Sequence, residues 1–405
     1  MNRLATRLAR PLTLALLAGA ALWLWAAHAL WTATIGVPGD LTELAPGRFF
    51  SDSFLERSAT YERFLAIDGL LAITTLLAVL GLYARRGHRL MRESAAGRVG
   101  TGMMLGMLGF AVVWLAQVPF GLAAVWWQRR YDVSHQGYLE WIVESFLALG
   151  GTFLFVSFAL AVAMGLAGRM RRWWWLLAGP VFASLALLFV FVSPYLIPST
   201  SPLRDSELLA DARALERWEG VSGTKFVVED VHRFTTAPNA EATGFGPTST
   251  VVLWDTLVDG FSRVEIRAVL AHEVAHLAHD DGLRRVGWLA LFLIPAAGLI
   301  AFFTRGRGGL GRPEAVPVAL FALVVLQLLA TPLFNAVSRR DEAAADWAAL
   351  QATREPVAAR AMLRRLATTS KQSPDPPAWT AVLYGTHPTI MQRIAMTYAW
   401  EERTR

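Results

Sequence analysis

The chain has 405 residues, of which 54% are apolar and 17% charged, with 16 tryptophans and no cysteine. That profile is a membrane protein's, and it excludes a disulfide framework or a thiolate metal site, leaving His, Asp and Glu as metal donors. The net charge of +6 is almost wholly arginine, since Lys225 and Lys371 are the only lysines, and the arginines gather beside apolar runs as topology signals rather than as a nucleic-acid face.

Seven apolar runs reach the roughly 20 residues that cross a bilayer: 11–37, 64–83, 99–127, 145–167, 173–197, 286–303 and 316–337. The first follows Arg3, Arg7 and Arg10 but is too long for the core of a cleaved signal peptide, so a retained anchor is expected. Asp68 and Gln117 are polar positions inside spans, and Asp68, near the start of its run, reads as interfacial. The chain divides into 1–197 with five spans, a polar block 198–285, two spans in 286–337 and a second polar block 338–405. The two blocks are expected to fold together.

Residues 262–282 read as one helix, capped by Ser262 and Glu265 and ended by Gly282. Within it His272 and His276 stand four apart, on one face, where both imidazoles reach a single zinc ion. Glu273 is then placed as a general base. His279 lies two turns from His272, about 10.5 Å along the axis, too far to close the same tetrahedron. A distant carboxylate is needed, and S-R-R-D-E-A-A-A-D at 338–346 offers one. Glu342 would complete the site, and Asp346, one turn on, would hold a ligand histidine by its free N–H. Without the first motif this segment would read as a solvated helix face, with Arg339 and Arg340 paired to Asp341 and Glu342.

These motifs resemble the type I CAAX prenyl proteases and their HtpX-like relatives, integral-membrane zinc metallopeptidases. The resemblance extends to P-N-A-E-A-T-G-F-G at 238–246, V-V-L-W-D-T-L-V at 251–258 and Y-G-T-H-P-T-I-M-Q-R-I at 384–394. It implies an all-α polytopic membrane protein of seven transmembrane helices, carrying an α+β zincin-like metallopeptidase domain formed from two segments. It further implies one zinc per chain on His272, His276 and Glu342, water activation by Glu273, and oxyanion stabilisation by His387. Asn239 and Ala240 would lead into a strand beside the cleft. A peptide or membrane-protein substrate would lie extended along an edge strand near 244–253, starting at Gly244. Glu241 stands where the family usually has an aromatic residue, and the arginine-rich composition points to a bacterial source, so the protease is carried over without the prenyl specificity. The rival expectation is a catalytically silent membrane scaffold or receptor with a structural zinc site, from which Glu273 discriminates.

Arginines at the N-terminus and in the second, fourth and sixth loops fall on one side, which the positive-inside rule makes cytoplasmic. A multi-pass cell-membrane protein with an extracytoplasmic catalytic domain is expected. The eukaryotic relatives imply the opposite side, and the agreement of successive loops is given the greater weight.

Overall fold

The computed structural model describes residues 2–90 and 94–404, without the side chains of 2–13, 15 and 16. A bilayer offers the backbone no partner, so the apolar runs become helices. In chain order these are α1 (Asn2–Thr32), α2 (Asp52–Arg86), α3 (Gly97–Arg130), α4 (Tyr138–Met170) and α5 (Trp174–Val192). There follow β1 (Thr200–Pro202), α6 (Ser206–Glu219), β2 (Lys225–Glu229), β3 (Ala240–Thr243), β4 (Thr250–Trp254), α7 (Asp255–Gly260) and α8 (Arg263–Ala278). The last five helices are α9 (Asp281–Thr304), α10 (Val316–Thr353), α11 (Pro356–Ser370), α12 (Ala378–Leu383) and α13 (Ile390–Thr404).

Among the described residues, five continuous segments are long and apolar enough to cross a membrane: Asp52–Arg89, Gly97–Arg130, Tyr138–Tyr195, Asp281–Arg307 and Pro313–Thr353. The third contains two of the expected runs, because only a single turn at Arg171–Trp173 separates α4 from α5. The first expected run, 11–37, begins on residues whose side chains lie outside the described set, and α1 supplies its backbone as far as Thr32. α3 and α4 approach closely at Gly102 and Gly106, where a Cβ would overlap the side chains of Met164 and Leu160. Gln117 donates to the Ala72 carbonyl at 3.1 Å, and with Asp68, Trp114 and Trp141 it lines a cavity of about 310 Å³. Asp68 is thus turned to this cavity.

The small sheet runs β1-β2-β4-β3, with β2 and β4 parallel and the outer pairs antiparallel. Ala240 and Ala242 stand opposite Leu253 and Val251, which puts all four on the face of Phe226 and Val228. That face belongs to one apolar core with Leu208 and Leu215 of α6, Ile266, Leu270 and Val274 of α8, Leu363 of α11 and Ile394 of α13. Residues of both polar blocks therefore share a core. β3 is an edge strand, and β4 is enclosed between β2 and β3. The edge expected near 244–253 accordingly lies at Ala240–Thr243 instead.

Two expected boundaries fall inside helices. α10 runs unbroken from the last span through 338–346, because the Ala-rich sequence contains nothing there to stop it, and α9 begins before residue 286. The arginine-bearing loops meet at one end of the bundle: Arg307 donates to the Ala84 and Arg85 carbonyls at 3.5 and 3.4 Å, and Gly311 packs on Gly168. At the other end, the turn after α3 is stitched to the block before β3, with the His135 N–H on the Phe234 carbonyl at 2.8 Å.

Candidate metal centre and cleft

α8 is fixed at its start by Glu265, which accepts from the Ser262 N–H at 2.8 Å, the Ser262 hydroxyl at 2.7 Å and Arg365 at 3.0 Å. It ends earlier than the sequence suggests. Asp280 adopts a left-handed conformation, φ 53°, and α9 restarts at Asp281, so Gly282 lies in the first turn of the next helix. Asp tolerates that region better than most residues because its short side chain clashes little. The reversal swings Asp281 back against α8.

His272 and Glu273 are buried, as is Glu342 on the facing turn of α10. The His272 Nε2 lies 3.1 Å from Glu342 Oε2 and 3.1 Å from His276 Nε2, and His276 Nε2 lies 3.4 Å from Glu342 Oε2. A tetrahedral zinc ion with bonds of about 2.0–2.1 Å separates its donors by roughly 3.4 Å. The three atoms thus fit the edges of one metal coordination shell, and this is a group of donors able to hold a metal ion.

Each donor has an outer partner. His276 Nδ1 bonds Asp281 Oδ2 at 2.6 Å, which directs Nε2 to the centre. His272 Nδ1 lies 2.9 Å from Asp346 Oδ1, within ion-pair reach but off the line of a well-formed hydrogen bond. Asp346 is itself gripped by Arg393, whose Nε and Nη2 donate at 2.8 and 2.7 Å. Arg285 donates to the outer oxygen of Glu342 at 3.2 Å. Burial works against charge on the imidazoles, yet the carboxylates prevail: Asp346 and Glu342 raise His272 to about 9, and Asp281 and Glu342 raise His276 to about 10. Two cation-favouring rings turned toward one carboxylate are a site with strong demand for positive charge.

His387 is half-exposed, and its Nε2 lies 3.1 Å from Glu342 Oε2, at the mouth of the group. Asn239, Ala240, His272, Glu273, His387 and Arg393 line a cavity of about 80 Å³, walled on the apolar side by Leu257, Val269, Met362 and Leu366. Of the expected substrate-binding residues, Asn239 and Ala240 are therefore at the cleft. Gly244 is not among its lining residues; it lies past β3 at φ 76°, packed on Pro194 and the Thr248 carbonyl. Sequence reasoning does not reach Asp281, Arg285 or Arg393. A signal for Asp281 existed in the acidic pair just after the second histidine.

A second cluster, Asp230, His232 and Asp255, also brings donors together. It is a loop fastening: Asp255 already accepts from the Val231 and Thr256 N–H groups at 3.2 and 2.8 Å and bonds His232 at 2.6 Å.

Residues 202–401 match the model of Peptidase family M48. The chain is 27% identical over 283 residues to "Uncharacterized metalloprotease YhfN" of Bacillus subtilis, covering 65% of each protein. It is 32% identical over 185 residues to a "Protease HtpX homolog" of Kineococcus radiotolerans, covering 40% of this chain and 63% of that one. The matched regions thus span just under two thirds of either relative's length. In fold, the chain is similar to a crystal structure of S. mikatae Ste24p, with a TM-score of 0.76 and 16% identity over 93% of this chain and 96% of that one.

Proposed function

We propose that this chain, a membrane metallopeptidase of the HtpX- and Ste24-like M48 group, is a zinc-dependent endopeptidase in which Glu273 is the general base. The observation that carries the reading is that Glu273 lines the same small cavity as His272 and His387, beside three convergent donors. His272, His276 and Glu342 would hold one zinc ion per chain. When bound, zinc supplies Lewis-acid polarisation of the scissile carbonyl and acidifies a water molecule.

The residues of this chain do the rest. Glu273 takes the proton from the attacking water and passes it to the leaving amine. His387 donates to the oxygen on which negative charge develops. Asp346 and Asp281 keep the Nδ1 atoms of the two histidines as donors, so that both Nε2 atoms are free for the metal. Asn239 and the unpaired edge of β3 would bind the substrate backbone in extended form, a mode that fixes the peptide while tolerating varied side chains. Gly244, which lies past β3 and outside the cavity lining, would act through the turn that follows the strand.

The same reading takes the two polar blocks, 198–285 and 338–405, as one zincin-like domain hung on seven transmembrane helices: α1 to α5, α9 and the first part of α10. α4 and α5 count separately because Arg169 in the last turn of α4 and Arg171 and Arg172 in the turn between them stand beside exposed Trp173, a water-interface arrangement. The peptidase faces away from the arginine-rich end, outside the cytoplasm. A catalytically silent scaffold is not favoured, since a structural metal site has no use for a carboxylate in the cavity beside the donors.

Chelation tests the activity. Purified protein in detergent should cleave casein, lose this on treatment with 1,10-phenanthroline, and regain it when zinc is restored. Cleavage that persists after the metal has been stripped would refute the reading.

A further inference from the structure

We propose that Asn335 and Arg339 are positioning residues that hold His387 in register with the Glu342 carboxylate. The inference rests on the reading of His387 as the oxyanion donor and extends it to the groups that place it.

α12 is a helix of six residues, and the turn that follows it leads directly to His387. Helices this short leave most of their carbonyls without an internal partner. Here α10 supplies the partners. Asn335 Nδ2 donates to the Val382 and Leu383 carbonyls at 3.0 and 2.9 Å. Arg339 Nη1 donates to the Ala381 and Gly385 carbonyls at 2.8 and 2.7 Å. The guanidinium also meets the negative end of the α12 dipole. These are not the acidic neighbours that a solvated helix face would give Arg339: its described partners are carbonyls.

The apolar side chains of α12 contribute little to holding it, because Trp379, Val382 and Leu383 are all exposed. The turn is also tight. Gly385 N–H bonds the Ala381 carbonyl at 3.1 Å, and a Cβ at 385 would sit 2.6 Å from that same oxygen. His387 follows two residues later, so its position is set by where Gly385 is pinned.

Asn335, Arg339 and Glu342 are spaced four and three residues apart, on one side of α10. One rigid helix therefore carries both the metal-binding carboxylate and the two anchors of the histidine that works beside it. Misplacing a catalytic group by about 1 Å can cost about a hundredfold in rate. Loss of an anchor should accordingly appear in kcat, through His387 and nothing else.

The test is a double-mutant cycle on a fluorescence-quenched peptide taken from a casein cleavage site, with zinc content measured for each variant. Arg339→Ala should keep full zinc and a KM near wild type, and lower kcat about tenfold to a hundredfold. Arg339→Lys, which keeps the charge but not the fork, should recover part of the loss, and Asn335→Asp, which has no N–H to donate, should not be better than Asn335→Ala. In the His387→Ala background, Arg339→Ala should have almost no further effect. A wild-type kcat in Arg339→Ala, or the same fractional loss with and without His387, would overturn the proposal. A wild-type kcat in His387→Ala would instead remove the oxyanion role itself, and the anchoring role with it. Should Arg339→Ala misfold, as judged by lost zinc, the Lys variant and Asn335→Ala carry the same cycle.

Discussion

Every donor at the centre is held by a second group, and the charges involved set how the site responds to pH. His276 leans on Asp281, His272 on Asp346 and thence on Arg393, and Glu342 on Arg285. Burial disfavours the imidazolium, but the carboxylates outweigh it and lift the rings to about 9 and about 10. In the metal-free chain the surrounding carboxylates favour the protonated rings, which must give up protons to ligate. Zinc titrated into stripped protein at about pH 8, in buffers of different ionisation enthalpy, should release protons, and affinity should rise with pH. The metal-free protein should show the opposite slope. Its folded pKa values lie above the unfolded value of about 6.5, so the stability these rings contribute is complete below about 6.5 and lost as pH rises through about 9 to 10. Zinc binding without proton release would contradict the assignment of the donors. At this scale the histidine pair is legible in the sequence because its four-residue spacing is itself the geometry of the site. Arg393 is not, because 47 residues separate it from Asp346 and no local pattern joins them.

The elements that position these groups are a helix reversal and a long helix. α8 and α9 meet at Asp280, whose left-handed backbone turns Asp281 toward His276. A β-branched residue is strained in that conformation, whereas glycine is not. Asp280→Val should therefore pull Asp281 from His276 and weaken zinc retention by about tenfold or more in competition with a chelator, while Asp280→Gly should hold zinc as wild type does. Equal retention in the two variants would show that the reversal does not set the site. The helical spans are legible as apolar runs, and so is the capped start of α8. The reversal is not, because a glycine two residues later is the stronger stop signal in sequence. The edge strand is misplaced in sequence for a related reason: 251–254 looks like a strand, but only pairing decides which strand is enclosed.

For the whole molecule, the two ends of the bundle differ in charge and in partners. The Arg307 side chain meets the carbonyls of the last turn of α2 at one end, while the core shared by the two polar blocks is built at the other, where the turn after α3 is stitched to it. By the positive-inside rule the arginine end would face the cytoplasm, as proposed above. Single cysteines at Ala95, exposed beside the second arginine loop, and at Ser206, exposed at the start of α6, suit this cysteine-free chain. An impermeant thiol reagent on intact cells should label position 206 and spare position 95; the reverse pattern would place the peptidase in the cytoplasm.

The central claim is that Glu273 performs the proton transfer while His272, His276 and Glu342 hold the metal, and one paired measurement separates those roles. Zinc content and peptide turnover should be determined together for Glu273→Gln and Glu342→Ala. Glu273→Gln keeps the shape of the side chain without its basicity, so it should retain one zinc per chain and lose about 10²- to 10⁴-fold in turnover, whereas Glu342→Ala should lose the zinc and the activity together. Wild-type turnover in Glu273→Gln, or undiminished zinc in Glu342→Ala, would contradict the account.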